Sequence, residues 1–228
     1  MTTFDALDNP IWSSLTSIHA SVARSNGSAR RYASQVSPLA AVSKPTPTSF
    51  SDLAALVKSE EHVGLFTAEP LQVPDDWETI HFRPIEQMIF TELTWEPRFS
   101  PLVELGCNDV PEMLALTAAT EPGPFLAETN QMGRYFGIRS DDGRLIAMAG
   151  ERLKLDGLTE ISAVCTAPEF RGRGFARTLV AYLVAQTLNE GKIPFLHVKA
   201  ENGAKILYQK LGFRVRRTIQ LTVVSPAR

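Results

Sequence analysis

Residues 171–176 read Arg-Gly-Arg-Gly-Phe-Ala, and the chain then runs through Ala176, Leu179, Val180, Leu183, Val184 and Leu188, an apolar stripe at helical spacing. A strand ending in a glycine-rich turn that opens a helix can hold phosphate. Unpaired amides at the helix start point outward, the helix dipole favours negative charge there, and glycine lets a ligand approach the backbone. Gly172 and Gly174 suit that role. A tight turn that needs glycine only for its geometry is the better account of a lone glycine pair. The flanks shift the reading: Arg171, Gly174 and Ala176 fit R/Q-x-x-G-x-G/A, with Pro168 ahead and an amphipathic helix behind. A dinucleotide fingerprint, G-x-G-x-x-G, fails at Arg177.

Several elements must position that turn. Residues 158–166 read as a strand, ended by Pro168, which cannot donate to a ladder. Gly191 and Pro194 stop the long helix. Residues 195–199 then predict a strand, 202–211 a helix and 213–224 a closing strand. Upstream, 102–105 reads as a strand, and Asp109 with Glu112 resembles a capping box opening a helix through Met113 and Leu116. A loop at 120–125 ends that helix. Residues 135–139 and 145–152 flank Asp141, Asp142 and Gly143, a hairpin signal. The first hundred residues are richer in Ser, Thr and Pro and read as a separate unit, 1–99, an extension expected to pack on the core and help form the acceptor side of a domain at 100–228. Within it, Ile11, Leu15, Ile18 and Val22 predict one amphipathic helix ending near Gly27. Residues 43–49 read as a connector because of their two prolines. Phe50, Asp52, Leu53, Leu56 and Val57 predict a short capped helix, and 62–66 and 87–93 strands.

This order of elements, with VCTAPEFRGRGFARTLV at 164–180 and LYQKLGF at 207–213, resembles the GCN5-related N-acetyltransferase (GNAT) superfamily, particularly its FR47-like branch, over roughly 102–224. The resemblance implies an α/β (α+β) fold: a mixed, mostly antiparallel GNAT-type sheet flanked by helices, here with an N-terminal helical and strand extension. It implies an N-acetyltransferase that moves acetyl from acetyl-CoA to a primary amine by direct attack in a ternary complex. In the family the strand before the phosphate loop splays from its neighbour and its backbone binds the pantetheine arm and thioester, which here means Val164, Cys165 and Thr166. Backbone amides of Arg171, Gly172, Arg173, Gly174, Phe175 and Ala176 would hold the pyrophosphate. Tyr208 matches a tyrosine that protonates the departing thiolate, and a reference pKa of about 10 keeps a phenol able to donate. Packing against the sheet is the alternative role. Asn202 resembles an asparagine that bonds pantetheine, yet it stands six positions before Tyr208 where seven is common, and a helix cap explains it equally well.

Only a neutral amine carries the lone pair that attacks a thioester, so such chemistry needs a proton acceptor. Glu160, His197 and Glu151 are the candidates, in that order, with water as a substitute. Glu160, Ser162 and Val164 alternate on one strand face. His197 stands where some relatives carry a catalytic glutamate, and its reference pKa of about 6.5 suits proton transfer. As alternatives, both acids can be solvated sheet carboxylates and His197 a satisfied core histidine. Glu121 and Glu128 flank the loop expected beside an acceptor groove, though solvated loop acids explain them better. Arg30 and Arg31 read as solvated, with the adenosine phosphate as a lesser alternative.

The remaining composition limits the partners. A net charge of -2 and a pI of 6.1 give no basic field for nucleic acid. Cys107 and Cys165 lie far apart without C-x-x-C spacing, which fits a reducing cytoplasm and no disulfide framework. No apolar run predicts a membrane span, and His19, His62, His81 and His197 form no H-x-x-x-H pair, so no metal is expected. The expected partner is a small-molecule or peptide amine, and the chain a monomer or homodimer. Two other readings fit the same residues: an acyl-CoA sensor without turnover, against which Tyr208 counts, and NAD-dependent redox chemistry.

Overall fold

The computed structural model describes residues 4–92 and 102–227. In chain order its elements are α1 (Pro10–Leu15), β1 (Arg24–Asn26), β2 (Ala29–Arg31), β3 (Ala40–Val42), α2 (Pro47–Ala54), β4 (Val63–Thr67), β5 (Trp77–Phe90), β6 (Val103–Leu105), α3 (Val110–Thr120) and β7 (Tyr135–Arg139). There follow β8 (Leu145–Leu155), β9 (Leu158–Thr166), α4 (Phe175–Asn189), β10 (Ile193–Val198), α5 (Ala204–Lys210) and β11 (Phe213–Pro226). Eight strands form one sheet in the order β4-β11-β5-β10-β9-β8-β7-β6, and β1-β2-β3 form a small second one. In the large sheet only β9 and β10 are parallel, so the mixed, mostly antiparallel architecture is present.

Alternate residues of a strand point to opposite faces, and the core divides accordingly. On one face Ala147, Ala149, Ile161, Leu196 and Val198 meet Leu179, Val180, Leu183 and Val184 of α4. On the other, Leu153, Leu155, Leu158, Phe195 and Ile219 meet Leu7, Ile11, Leu15 and Tyr32 of the N-terminal segment. The sheet does not divide at residue 99. β5 lies between β10 and β11 and pairs with both, so residues 63–90 belong to the same sheet as the C-terminal half.

Several local expectations are corrected. The helix predicted through Val22 stops at Leu15, because the Thr16 and Ser17 hydroxyls bond back to the carbonyls of Trp12 and Ser13 and compete with the helix. Ile18 and Val22 are exposed, and Gly27 turns the β1–β2 hairpin instead. The predicted connector at 43–49 holds the start of α2, with Pro47 in its first turn and a reciprocal cap between Thr46 and Ser49. Asp109 does not cap α3: its carboxylate accepts from the Gly106 amide at 2.8 Å and from Arg139 at 2.6 Å. The strand expected from Gln87 begins at Trp77, and its expected end at Leu93 lies outside the described residues.

Candidate active site

Strand β9 pairs with β10 only through Leu158, Thr159 and Glu160, opposite Ile193, Pro194 and Phe195, although both strands continue. Beyond that point they part. Close to the parting β9 carries a bulge: Ser162 faces Gly150 and Cys165 faces Met148, so two residues, Ala163 and Val164, oppose Ala149 alone, with Ala163 in left-handed backbone at φ 52°. The expected alternation from Glu160 through Val164 is broken there. A sheet opened this way leaves backbone groups of β9 and β10 without strand partners, available to an extended ligand.

At the far end of β9 the chain turns through residues 171–174 into α4. Gly172 (φ 77°) and Gly174 (φ 85°) adopt backbone that favours glycine, and a Cβ on either would meet nothing within 4 Å. The first-turn amides of α4 have no carbonyl ahead of them in the helix. Arg171, Arg173 and Arg177 are exposed around them, with Arg171 Nε donating to the Thr166 carbonyl at 3.2 Å. The buried Thr166 hydroxyl has no hydrogen-bond partner among the described residues.

A cleft of about 880 Å³ joins these features. It starts at Arg171 and Ala176, follows Val164, Cys165 and Thr166, and passes Tyr208 and Asn202. It then opens between the parted strands into an apolar chamber walled by Leu39, Phe66, Ile85 and Leu221. The turn, the open strand and the tyrosine thus share one cavity. The amide-rich turn, the open strand edge and the unpaired Thr166 hydroxyl together fit an anionic ligand with a long amide-bearing arm, as coenzyme A has.

Tyr208 is 7% exposed, and burial, with a smaller contribution from nearby Cys165, pushes its phenol up to about 12. The Cys165 thiol is itself pushed up to about 11 by burial, so it is neutral and a poor nucleophile at neutral pH. Asn202 reaches the cleft wall while its side-chain oxygen accepts from the Ala204 amide, the first of α5, at 2.9 Å; the N-cap position itself is Gly203, one residue later than Asn202.

The expected bases lie deeper than their strand positions suggest. Glu160 is fully buried and accepts from Arg152 Nε at 2.8 Å, Arg152 Nη2 at 2.6 Å and the Leu153 amide at 3.3 Å, with His197 Nδ1 at 2.6 Å. Burial alone would raise its pKa, but Arg152 and His197 outweigh it and hold the carboxyl down to about 2. His197 lines the cleft, yet its Nε2 lies 3.1 Å from Gln87 Nε2. The Gln87 oxygen accepts from Arg216 at 2.9 Å and its nitrogen donates to the Leu7 carbonyl at 2.9 Å, which fixes the amide's orientation. His197 therefore donates through Nδ1 to Glu160 and accepts at Nε2 from Gln87. Its lone pair is turned to Gln87. Glu151 is also buried; burial would raise its pKa, but bonds from Arg134 and Lys154 hold it down to about 2.

Glu121 lines the cleft at the end of α3, in left-handed backbone at φ 49°, whereas Glu128 is not on its wall. Arg31 is not solvated: it is 3% exposed and pairs with Glu61 at 2.6 Å. Arg30 lies over the Trp12 ring at 5.1 Å. Sequence reasoning missed Arg152, Gln87 and Phe66. A signal for Arg152 existed, because it stands across a two-strand hairpin from Glu160 with opposite charge.

Among the described residues no group of three or more His, Cys, Asp or Glu is placed to hold a metal, and no helix is long and apolar enough to cross a membrane. The profile of the FR47-like protein family matches residues 135–221. A structure from Novosphingobium aromaticivorans DSM 12444, given by assignment as a GNAT-family acetyltransferase, is 39% identical with a TM-score of 0.88, covering 97% of this chain and 99% of its own. A GCN5-related N-acetyltransferase from Kribbella flavida shares the fold at 17% identity and a TM-score of 0.67, over 96% of this chain and 95% of its own. A GCN5-related N-acetyltransferase-like protein from Streptococcus suis 89/1591 does so at 13% identity and a TM-score of 0.57, over 95% and 92%. No curated protein matches the chain.

Proposed function

The chain belongs to the GNAT family of acetyltransferases, and from that membership we propose that it transfers acetyl from acetyl-CoA to a primary amine by direct attack within one cleft. The observation that carries this reading is the continuity of the cleft. It runs from the Arg171–Ala176 turn along the open edge of β9 to the Tyr208 phenol.

In this reading the amides of Gly172–Ala176 hold the pyrophosphate, aided by the exposed arginines around them. The free backbone of Val164, Cys165 and Thr166 lies along the pantetheine arm, and Asn202 contributes from the opposite wall. Acetyl-CoA supplies the activated thioester. As the amine nitrogen bonds to the carbonyl carbon and the carbon–sulfur bond breaks, Tyr208 gives its proton to the leaving sulfur and regains one from solvent. A phenol held near 12 keeps that proton at neutral pH and serves only as an acid. Water in the cleft takes the amine's proton, because the Glu160 carboxylate is engaged by Arg152 and the His197 Nδ1–H, and the His197 Nε2 lone pair by Gln87. Those two residues act instead as positioning groups beneath the acceptor chamber.

The test follows free thiol while the full chain is incubated with acetyl-CoA and a panel of amines and peptides. Acceptor-dependent thiol release is the expected result. Binding of acetyl-CoA without turnover across the panel would show a sensor instead, and a thermal shift with NAD but not with coenzyme A would overturn the reading altogether.

A further inference from the structure

We infer that the acceptor carries a carboxylate on an apolar body, and that the free edge of the Arg152 guanidinium receives that carboxylate. The inference rests on the acyl-transfer reading and narrows its substrate class.

Arg152 spends Nε and Nη2 on Glu160, which leaves Nη1 with no hydrogen bond among the described residues. The side chain is 13% exposed and forms part of the cleft wall, with its guanidinium 5.7 Å from the Phe66 ring centroid. A guanidinium bonded side-on to one carboxylate still offers its Nη1–Nη2 edge to a second, in the planar geometry that suits a carboxylate. The walls nearby combine apolar Leu39, Phe66, Ile85 and Leu221 with the His62 and His197 rings and the Ser162 hydroxyl, and among the described residues none of these bonds Nη1. Nη1 is not sealed from solvent, so a ligand oxygen can reach it from the cleft and take the place of water there.

Position along β9 orients the ligand. Glu160, which anchors Arg152, belongs to the last pair before β9 and β10 part, and Ser162 to Thr166 lead from there toward the phosphate turn. A carboxylate on Arg152 therefore sits beyond the thioester. The donor-only edge repels an ammonium, so the amine end of the same molecule points back toward the reacting carbon. An amino acid with an apolar side chain meets all three requirements, and its own ammonium balances the added negative charge on arrival.

The experiment compares kcat/KM of the full chain for leucine and phenylalanine with that for 3-methylbutylamine and 2-phenylethylamine, their decarboxylated counterparts. A charge-assisted hydrogen bond predicts a preference for the amino acids on the order of tenfold to a hundredfold. That preference should vanish in Arg152→Gln. Because that change strands Glu160, the Arg152→Gln/Glu160→Gln pair is measured beside it, with acetyl-CoA affinity as the check on folding. Equal or better use of the plain amines, survival of the preference in either variant, or acetyl-CoA binding with no use of the amino acids overturns the inference while leaving the family reading intact. Failure to bind acetyl-CoA, in an otherwise folded wild-type chain, sinks the acyl-transfer reading itself.

Discussion

Tyr208 and Glu160 are both buried, yet their surroundings drive them to opposite ends of the titration range. Tyr208 has burial and no cation to offset it, and stays protonated up to about 12. Tyr208→Phe should lower kcat by on the order of a hundredfold, the lower range for a general acid, with little change in acetyl-CoA affinity. An unchanged kcat would return Tyr208 to a packing role. Glu160 has Arg152 and His197, and its carboxyl falls from an ordinary 4.5 to about 2 in the fold. A depressed folded pKa contributes stability that is present above 4.5 and is lost as pH falls toward 2. Glu160→Gln leaves Arg152 buried without its counter-charge, so urea unfolding at pH 7 should show a loss of about 3–5 kcal/mol. The acid limb of the stability profile should flatten in the same variant. The sequence marked Glu160 as a proton acceptor by strand alternation, and His197 by its standing where some members of the resembled family carry a catalytic glutamate. It concealed Gln87, whose partners Leu7, His197 and Arg216 stand 80, 110 and 129 positions away. A network closed by such long-range bonds leaves no local pattern to read.

The elements that hold the candidate site were legible where local rules act alone. Strand β9 was expected at 158–166 and is found at Leu158–Thr166, because a stretch with β-branched Thr159, Ile161, Val164 and Thr166 meets a stop at Pro168. The Gly172 and Gly174 turn follows from backbone requirements visible in the sequence. Gly174→Val tests that turn. Its Cβ would enter left-handed backbone at φ 85° and project into open space where the phosphate reading places the ligand. Unfolding free energy should fall by about 1–2 kcal/mol from strain, and calorimetry should show a much larger proportional loss of coenzyme A affinity. Loss of stability alone, with affinity retained, would separate the turn from the ligand. Helix α1 was overestimated because Ile18 and Val22 satisfy the period while Thr16 and Ser17 end the helix through their own hydroxyls. The β9 bulge at Ala163 left no sequence signal either, since a non-glycine residue in left-handed backbone is imposed by the sheet around it.

At the scale of the whole molecule, the first hundred residues pack on the rest through Leu7, Ile11, Leu15 and Tyr32, and they also lend β4 and β5 to the large sheet, which their reading as a separate unit did not foresee. Composition changes near residue 100, but one sheet draws strands from both sides of that point, because β5 is inserted between β10 and β11. Strand pairing over such separations is invisible to composition and periodicity. A chain beginning at Pro101 lacks β4 and β5, so β10 and β11 lose the strand that joins them. It should show no cooperative thermal transition by circular dichroism; a sharp transition, with acetyl-CoA bound, would make the C-terminal part a domain of its own. The same continuity makes the N-terminal segment one wall of the proposed acceptor chamber, through Leu39 and Phe66. The central claim is that the stretch from Val164 to Ala176 is where acetyl-CoA lies, and amide hydrogen exchange tests it at that resolution. On adding acetyl-CoA, protection should rise at the amides of 164–166 and 172–176 and leave β1–β3 unchanged. Bound acetyl-CoA without protection in those two stretches would contradict the account.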